Sequence, residues 1–308
     1  MTFKEIISWL LEGDVAIQYQ TRRDLLSENR PDLQARIARE GWGAAFMACR
    51  QPNGHWSRGF YQVKWISSHY TLLDLRNLEI APKLPPILET LDLIAAREKS
   101  EDGGVNPAQS IAQSDVCVNG MFLNYASYFG MEEQKMNSVV DFILSQHMPD
   151  GGFNCRWNRS GARHSSLHST LSVAEGIAEY AKNGYTYRLN ELRQAETACR
   201  EFMLVHQLFI SDRTGQIINP HFLTPYYPSR WKYDIFRALD YFRYVGAPFE
   251  NRLQAALEVV LQKRKKDGRW NMPAKHAGKT HFDMETSGLP SRWNTLRCLR
   301  ILKHFDFL

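Results

Sequence analysis

Five short turns decide the fold of this chain: QPNGHW (51–56), SEDGGVN (100–106), MPDGGFN (148–154), SDRTGQI (211–217) and KKDGRWN (265–271). In each turn a polar residue precedes one or two glycines, and an aromatic or branched apolar residue follows closely. Polar residues before glycine are typical of tight turns between regular elements. The marker glycines are Gly54, Gly104, Gly152, Gly215 and Gly268. Their spacing of about fifty residues predicts stacked supersecondary repeats.

Twelve helical patterns lie between and around these turns. Their apolar periodicity places them near 2–12, 14–27, 31–50, 65–78, 84–94, 114–129, 133–146, 164–182, 189–208, 230–244, 250–265 and 291–305. Helices that precede a turn are charged on one face, whereas those that follow a turn are apolar on most sides and should be buried. We therefore predict an all-α protein, a single (α/α)6 toroid over residues 1–308 with six inner and six outer helices. An open solenoid of helix pairs is the alternative.

The composition is that of a globular protein, since 44% of the 308 residues are hydrophobic and 23% are charged. The net charge of +5 is small and scattered and no nucleotide motif accompanies it, so no nucleic-acid partner is expected. No apolar run approaches the roughly 18 residues of a membrane span, and the N-terminus lacks the pattern of a signal peptide. Five cysteines without a C-x-x-C pair favour a reduced, cytoplasmic protein.

The turns QPNGHW, DGGFN and DGRWN resemble the QW-type repeats of squalene and terpene cyclases and of protein prenyltransferase β-subunits. The resemblance covers essentially the whole chain, although each motif is short. It implies an α/α toroid with a central aromatic pocket, acting on a small apolar or isoprenoid-like molecule. The segments YPSRWKYDIFRALDYF (227–242) and ETSGLPSRWNTLRCLRILKHF (285–305) resemble bacterial prenyltransferase-like proteins to which no reaction is assigned.

A set of three side chains matches the zinc site of that family. Asp115 and Cys117 form a D-x-C at the start of one predicted inner helix, and His168 opens the next after the DGGFN turn. The resemblance implies that these residues bind zinc and are catalytic. Three protein ligands would leave one position open for a thiolate or water, whose pKa zinc lowers. The alternative is a helix cap, a small buried thiol and a core histidine.

The chain also departs from the family pattern. The stretch 106–114 contains no Arg or Lys, although the family carries a basic, diphosphate-binding run there. The acidic motifs DxDD and DDxxD of the cyclases are absent as well, so their chemistry is not expected. A toroid that binds a small molecule without turning it over is therefore an alternative function.

A ligand pocket is predicted where the N-termini of the inner helices converge, because free backbone N–H groups and positive dipole ends meet there. Polar and aromatic residues are unusually frequent at these helix starts. Those predicted to bind ligand are His69, Tyr70, His164, Tyr227, Arg230, Trp231, Tyr233, Glu285, Arg292 and Trp293. Helix caps and core aromatics are the structural alternative. A carbohydrate-active toroid enzyme, with Asp115 and Glu285 as its carboxylates, is a further alternative.

The phrase Pro-Ser-Arg-Trp occurs at 228–231 and again at 290–293. Because Ser is a good N-cap and Pro suits a helix start, both phrases are predicted to begin inner helices with Arg230 and Arg292 in the first turn. A positive charge there opposes the helix dipole, so each arginine should pair with an acid or an anion. Glu285 is the expected protein partner, and a carboxylate or phosphate ligand is the alternative.

Overall fold

The computed structural model describes residues 1–108 and 110–308, so Gln109 in the stretch 106–114 lies outside the described residues. Within these residues all regular structure is helical, apart from isolated β-bridges, which confirms the all-α prediction. No helix in the described part of the chain has the length and apolar character needed to cross a membrane. The chain divides into two compact units. Unit 1 contains residues 1–48, 77–81 and 206–308, and unit 2 contains 49–76 and 82–205.

The helices follow the predicted order closely. In chain order they are α1 (Phe3–Leu11), α2 (Val15–Leu26), α3 (Pro31–Arg36), α4 (Gly41–Ala48), α5 (Ser68–Asn77), α6 (Pro85–Arg97), α7 (Val116–Tyr128), α8 (Glu133–Ser145), α9 (Trp157–Ser160), α10 (Leu167–Lys182), α11 (Leu189–Val205), α12 (Ile235–Tyr244), α13 (Gln254–Gln262) and α14 (Arg292–His304). Short 3₁₀ turns occupy Lys64–Ile66, Pro220–Leu223 and Asn251–Leu253.

The predicted helix 31–50 is in fact two helices, α3 and α4. Gly41, the first residue of α4, has a φ of +58°, a left-handed conformation that no helix interior contains. The Asp14 carboxylate accepts a 2.8 Å hydrogen bond from the Trp42 N–H. This bond supplies an acceptor for the first turn of α4 from a distant part of the chain, so the sequence of 31–50 alone does not reveal the break.

The prediction that Arg230 lies in the first turn of an inner helix is wrong. Arg230 has a φ of +59°, and α12 begins only at Ile235. The N-cap is Asp234, whose carboxylate accepts a 2.8 Å hydrogen bond from the Arg237 N–H. Ser229 instead donates its hydroxyl to the Tyr226 carbonyl, at 3.0 Å, within the preceding turn. Two good capping residues compete here, and the aspartate caps the helix.

Each marker turn contains a glycine with positive φ, a conformation that is energetically unfavourable for residues with a Cβ. These are Gly54 (+83°), Gly103 (+86°), Gly151 (+91°), Gly215 (+66°) and Gly268 (+87°). In the two Gly-Gly turns it is the first glycine that is left-handed, one residue before the marker. The second glycine allows close packing, because a Cβ on Gly152 would lie 2.6 Å from the Thr170 hydroxyl oxygen.

A second contact recurs at four of the turns, and we call it the turn-to-helix bond. The backbone N–H two residues after the left-handed glycine donates to a polar side chain near the start of the following long helix. The bonds join Trp56 to Ser68 Oγ (3.0 Å), Val105 to Asn119 Oδ1 (2.7 Å), Phe153 to Thr170 Oγ1 (3.0 Å) and Trp270 to Thr295 Oγ1 (3.1 Å). All four of these donor residues are buried, so each bond satisfies an N–H that water cannot reach.

In unit 2, α7 and α10 pack against each other and are buried along most of their length. Their backbones approach closely at two glycines, because a Cβ on Gly176 would lie 2.3 Å from the Gly120 carbonyl oxygen. The following helices, α8 and α11, contact α7 and α10 respectively and bury a narrower stripe. Each buried helix is thus paired with a half-exposed helix that follows it in the chain.

In unit 1 a buried arginine joins three helices. The Arg300 guanidinium, on α14, donates to Gln20 Oε1 at 2.8 Å and to Asp24 Oδ2 at 3.0 Å, both on α2. It also forms an ion pair with Asp240 on α12. Burial alone would raise the pKa of Asp240, but Arg243 and Arg300 outweigh it and hold that pKa well below its usual range. The network therefore keeps its charges inside unit 1 because each charge has a partner.

We expect Gly176→Ala to destabilise the protein by about 2 kcal/mol. The new methyl group would overlap the Gly120 carbonyl and separate α7 from α10, at a cost that exceeds the gain in helix propensity. Denaturant unfolding measures the change. Gly161→Ala is the control, because Gly161 is left-handed but has no atom within 4 Å of the place its new methyl group would occupy, so only about 1 kcal/mol of backbone strain is expected. Equal losses in the two variants would contradict the close approach of α7 and α10.

Candidate functional site

The candidate site lies in unit 2, where α7 and α10 begin side by side. The turn-to-helix bond of Phe153 holds the DGGFN turn against α10, and Cys155 follows two residues later. The Cys155 N–H donates to the Ser169 hydroxyl oxygen at 3.3 Å, which fixes the cysteine beside the first turn of α10. The start of α7 contributes Asp115 and Cys117 to the same place.

The Cys155 sulfur accepts hydrogen bonds from both helix starts. The backbone N–H of Cys117 donates to it at 3.3 Å, and the Ser169 hydroxyl donates at 3.4 Å. Cys117 is the second residue of α7, so its N–H has no acceptor within the helix and carries the positive end of the dipole. The Cys117 side chain is therefore close to the same sulfur.

These donors separate the two thiols chemically. The hydrogen bond from the Cys117 thiol, followed by those from Ser169 and the Cys117 N–H, lowers the pKa of Cys155 despite its burial and the nearby Asp115 charge. The same thiol–thiol bond, together with burial, raises the pKa of Cys117. Cys155 is therefore the more acidic thiol of the pair, and the thiolate is the nucleophilic form of cysteine.

Asp115 occupies the N-cap position of α7, but its side chain makes no capping hydrogen bond. Its carboxylate forms an ion pair with Arg159 of the short helix α9. Burial raises the pKa of Asp115, and the charge of Arg159 opposes that shift. The Asn158 amide donates to the Ser114 carbonyl at 3.2 Å, so α9 contacts the start of α7 through two neighbouring side chains.

An aromatic group adjoins the thiol pair. The hydroxyls of Tyr61 and Tyr70 are 3.0 Å apart, and the Trp65 ring lies edge-on to Tyr70 with centroids separated by 4.8 Å. Burial raises the pKa of Tyr61, and the neighbouring groups Cys117, Asp115 and Cys155 raise it further. The Tyr61 phenol is thus within electrostatic range of the thiols.

His69 is enclosed by this aromatic group. It is fully buried, its Nδ1 lies 3.1 Å from the Tyr125 hydroxyl, and its Nε2 has no hydrogen-bond partner among the described residues. Burial lowers the pKa of His69 to about 3, so the ring is neutral at ordinary pH. The predicted ligand residues His69 and Tyr70 therefore lie together, with ring centroids 4.8 Å apart, beside Tyr61.

The three predicted zinc ligands are not gathered into a metal site. His168 is the second residue of α10, next to Ser169, as the predicted inner-helix start requires. Asp115 is engaged by Arg159, however, and the thiol of Cys117 by Cys155. Across the described residues no group of three or more His, Cys, Asp and Glu side chains is arranged to hold a metal ion. The side chains as placed do not fit a three-ligand zinc site, and zinc binding stays a prediction.

His164 lies three residues before α10 rather than within it. His164 is exposed, and its carbonyl accepts a 2.8 Å hydrogen bond from the Asn154 amide. α10 begins at Leu167, with Ser166 as the N-cap residue. His164 is therefore a loop residue of the segment that carries Cys155.

Two predicted residues of unit 1 help to start α14. Ser291 caps the helix by accepting a 2.9 Å hydrogen bond from the Asn294 N–H, which confirms the predicted helix start. Glu285 accepts from the Ser291 hydroxyl at 2.5 Å and from the Arg292 N–H at 2.6 Å. Glu285 thus binds the backbone of α14. The Arg292 guanidinium donates to the Trp9 carbonyl at 2.9 Å and lies 4.6 Å from the Trp9 ring centroid.

Of the remaining predicted ligand residues of unit 1, all but Trp231 are buried. The rings of Tyr227 and Trp293 are stacked, with centroids 4.1 Å apart. Tyr233 is buried and donates its hydroxyl to the Leu208 carbonyl at 2.6 Å. Arg230 is 8% exposed, whereas Trp231 is half-buried. Asp115 and Glu285, the proposed carboxylate pair of a carbohydrate-active enzyme, belong to different units.

The sequence analysis missed Cys155, Ser169, Arg159 and Tyr61. The signal for Cys155 was its place directly after DGGFN, at the turn between the D-x-C and His168. No protein-family model matches this chain, and no curated protein is similar to it. The chemistry of the site is therefore inferred from its own geometry.

We expect Cys155 to react with iodoacetamide at lower pH than Cys49, whose pKa burial raises. A lowered pKa preserves the thiolate as the pH falls, so the labelling midpoint of Cys155 should lie below that of Cys49. Peptide mass spectrometry after labelling across a pH series measures both midpoints in one sample. Ser169→Ala should raise the midpoint of Cys155, whereas Ser172→Ala, whose hydroxyl donates to the His168 carbonyl, should not. Coincident midpoints for Cys155 and Cys49 would refute the activated thiolate.

Proposed function

We propose that this protein is a terpenoid cyclase-like or prenyltransferase-like enzyme that acts on a small apolar, isoprenoid-like molecule with Cys155 as its reactive group. The observation that carries the proposal is the Cys155 sulfur, which accepts hydrogen bonds from the start of α7 and from Ser169. A thiolate held this way is a nucleophile suited to covalent attack on an electrophilic carbon. The electrophile would belong to the bound molecule.

The aromatic group next to the thiols supports the choice of an apolar substrate. Tyr61 is half-buried, its hydroxyl lies 3.0 Å from that of Tyr70, and it is within electrostatic range of the thiol pair. Aromatic faces attract positive charge, which would stabilise a carbon centre that becomes cationic as its leaving group departs. A saturated chain would gain only the burial of apolar surface, so an allylic substrate is favoured.

We also propose that the helices form the single (α/α)6 toroid expected from the repeats. In unit 2 the buried helices α7 and α10 begin at one end, as two neighbouring inner helices would. Each contacts the helix that follows it, α8 or α11, as an inner helix contacts its outer partner. The turn-to-helix bond also recurs at the turns of 54, 103, 151 and 268, which supports one repeated unit along the chain.

We expect farnesol to slow the alkylation of Cys155 by iodoacetamide about tenfold at ten times its Kd, because an occupied site excludes the reagent. Dodecanol, which lacks double bonds, should protect less. Tyr61→Ala should weaken protection, whereas the control Tyr187→Ala should not, since the Tyr187 hydroxyl contacts Asp141 on α8. An unchanged alkylation rate with farnesol, together with no heat of binding, would overturn the proposal.

A binding protein without turnover is the second candidate. The absence of Arg and Lys from 106–114 favours it, because a diphosphate leaving group would lack the expected cations. Incubation with farnesyl diphosphate followed by mass spectrometry separates the two candidates. An enzyme gives a product that disappears in Cys155→Ser, and a binder returns the compound unchanged.

Zinc dependence is a separate proposal, supported by the position of Cys117 and His168 as second residues of two helices that begin side by side. To bind zinc, Cys117 would have to break its contact with Cys155, and Asp115 would have to break its ion pair with Arg159. We expect equilibrium dialysis to show stoichiometric zinc that is lost in Cys117→Ser and in His168→Ala. His164→Ala is the control, because His164 lies in the loop before α10. Absence of zinc from the wild-type protein after dialysis would end this proposal.

A further inference from the structure

We propose that Cys117 and Cys155 form a reversible disulfide when the protein meets a hydroperoxide. The proposal rests on the contact between the two thiols and does not depend on the proposed function. It assigns a modification site to the start of α7, formed by two cysteines that are 38 residues apart in the sequence.

The distance between the two residues is short enough for the bond. The Cys155 sulfur lies 3.3 Å from the Cys117 backbone nitrogen, which is two bonds from the Cys117 Cβ. A disulfide joins Cβ atoms about 3.5–4.5 Å apart with sulfurs about 2.0 Å apart. A sulfur held that close to the Cys117 backbone needs only small side-chain rotations to reach that geometry. Both cysteines are half-buried, so a small oxidant can reach them.

The other cysteines provide an internal comparison. Cys49 is half-buried, whereas Cys199 and Cys298 are buried, and all three are free thiols. Cys199 lies on α11 and Cys298 on α14, within the cores of their own units. A hydroperoxide that reacted simply with accessible sulfur would oxidise Cys49 as readily as Cys155.

The reaction balances in two steps. The Cys155 thiolate attacks one oxygen of hydrogen peroxide, so an S–O bond forms, the O–O bond breaks and hydroxide leaves. The sulfur of Cys117 then attacks the sulfur of the resulting sulfenic acid, the S–O bond breaks, and the departing hydroxide takes up the proton released by Cys117 as water. The hydroxide from the first step takes up the proton that Cys155 lost on ionisation, so overall two thiols are oxidised to one disulfide and one peroxide is reduced to two waters.

The disulfide would have a structural effect on the candidate site. It would tie the segment after the DGGFN turn, which includes Arg159, covalently to the first turn of α7. It would also remove the Cys155 thiolate, so iodoacetamide could no longer label that residue. Reduction by dithiothreitol restores both thiols.

Peptide mapping of the whole protein tests the inference. Metal-free protein is treated with a few equivalents of hydrogen peroxide, denatured, blocked with N-ethylmaleimide and digested with trypsin. Cleavage after Lys99, Lys135 and Arg156 places Cys117 and Cys155 on adjacent but separate peptides. We expect the peptides 100–135 and 136–156 to be linked, with three of the five cysteines still blocked as thiols, and the link to vanish after dithiothreitol.

Two variants, each lacking one cysteine, identify which thiol reacts in each step. Cys117→Ser should leave a sulfenic acid on Cys155 that dimedone traps, and Cys49→Ser should keep the linked peptides. Unlinked peptides in the folded wild-type protein, or oxidation of Cys49 as fast as Cys155, would overturn the proposal. Because no ligand is added, these outcomes are independent of the farnesol experiment.

Discussion

The turn-to-helix bond is the contact on which the rest of the structure depends. After each of four marker turns, one buried backbone N–H has its acceptor on a side chain near the start of the next long helix. Loss of that acceptor would leave a buried donor without a partner, at a cost of about 1–3 kcal/mol. The bond ties the turn after one helix to the first residues of the next long helix. At Phe153 it also sets the position of Cys155.

The features that could be predicted from the sequence are those determined locally. Apolar periodicity and the turn glycines placed the helices within a few residues, because both signals lie in neighbouring side chains. The break before Gly41 and the late start of α12 could not be predicted in the same way. The first depends on Asp14, which is remote from Gly41 in the sequence, and the second on a competition between Ser229 and Asp234 for one helix start.

The candidate site was predictable only in part. Cys117 and His168 were placed at the starts of two inner helices, and the structure shows each as the second residue of its helix. The partner of Cys117 was not foreseen, because the contact with Cys155 depends on how an irregular segment folds back over α7. Such a segment has no periodicity to reveal which of its residues face inward. The close approach of α7 and α10 at Gly120 and Gly176 could not be predicted either, because a glycine within a helix does not reveal which other helix packs against it.

The turn-to-helix bonds also divide the chain into a constant framework and variable inserts. The bonded residues are separated by 12, 14, 17 and 25 positions in successive cases, although each bond has the same form. The segments between them can therefore differ in length and composition while both of their ends stay anchored. Tyr61, Cys155, Arg159 and Glu285 all lie in such inserts. Diversification of this architecture would then resemble that of antibody loops, in which an unchanged scaffold presents new chemistry by exchanging the segments held between its fixed points.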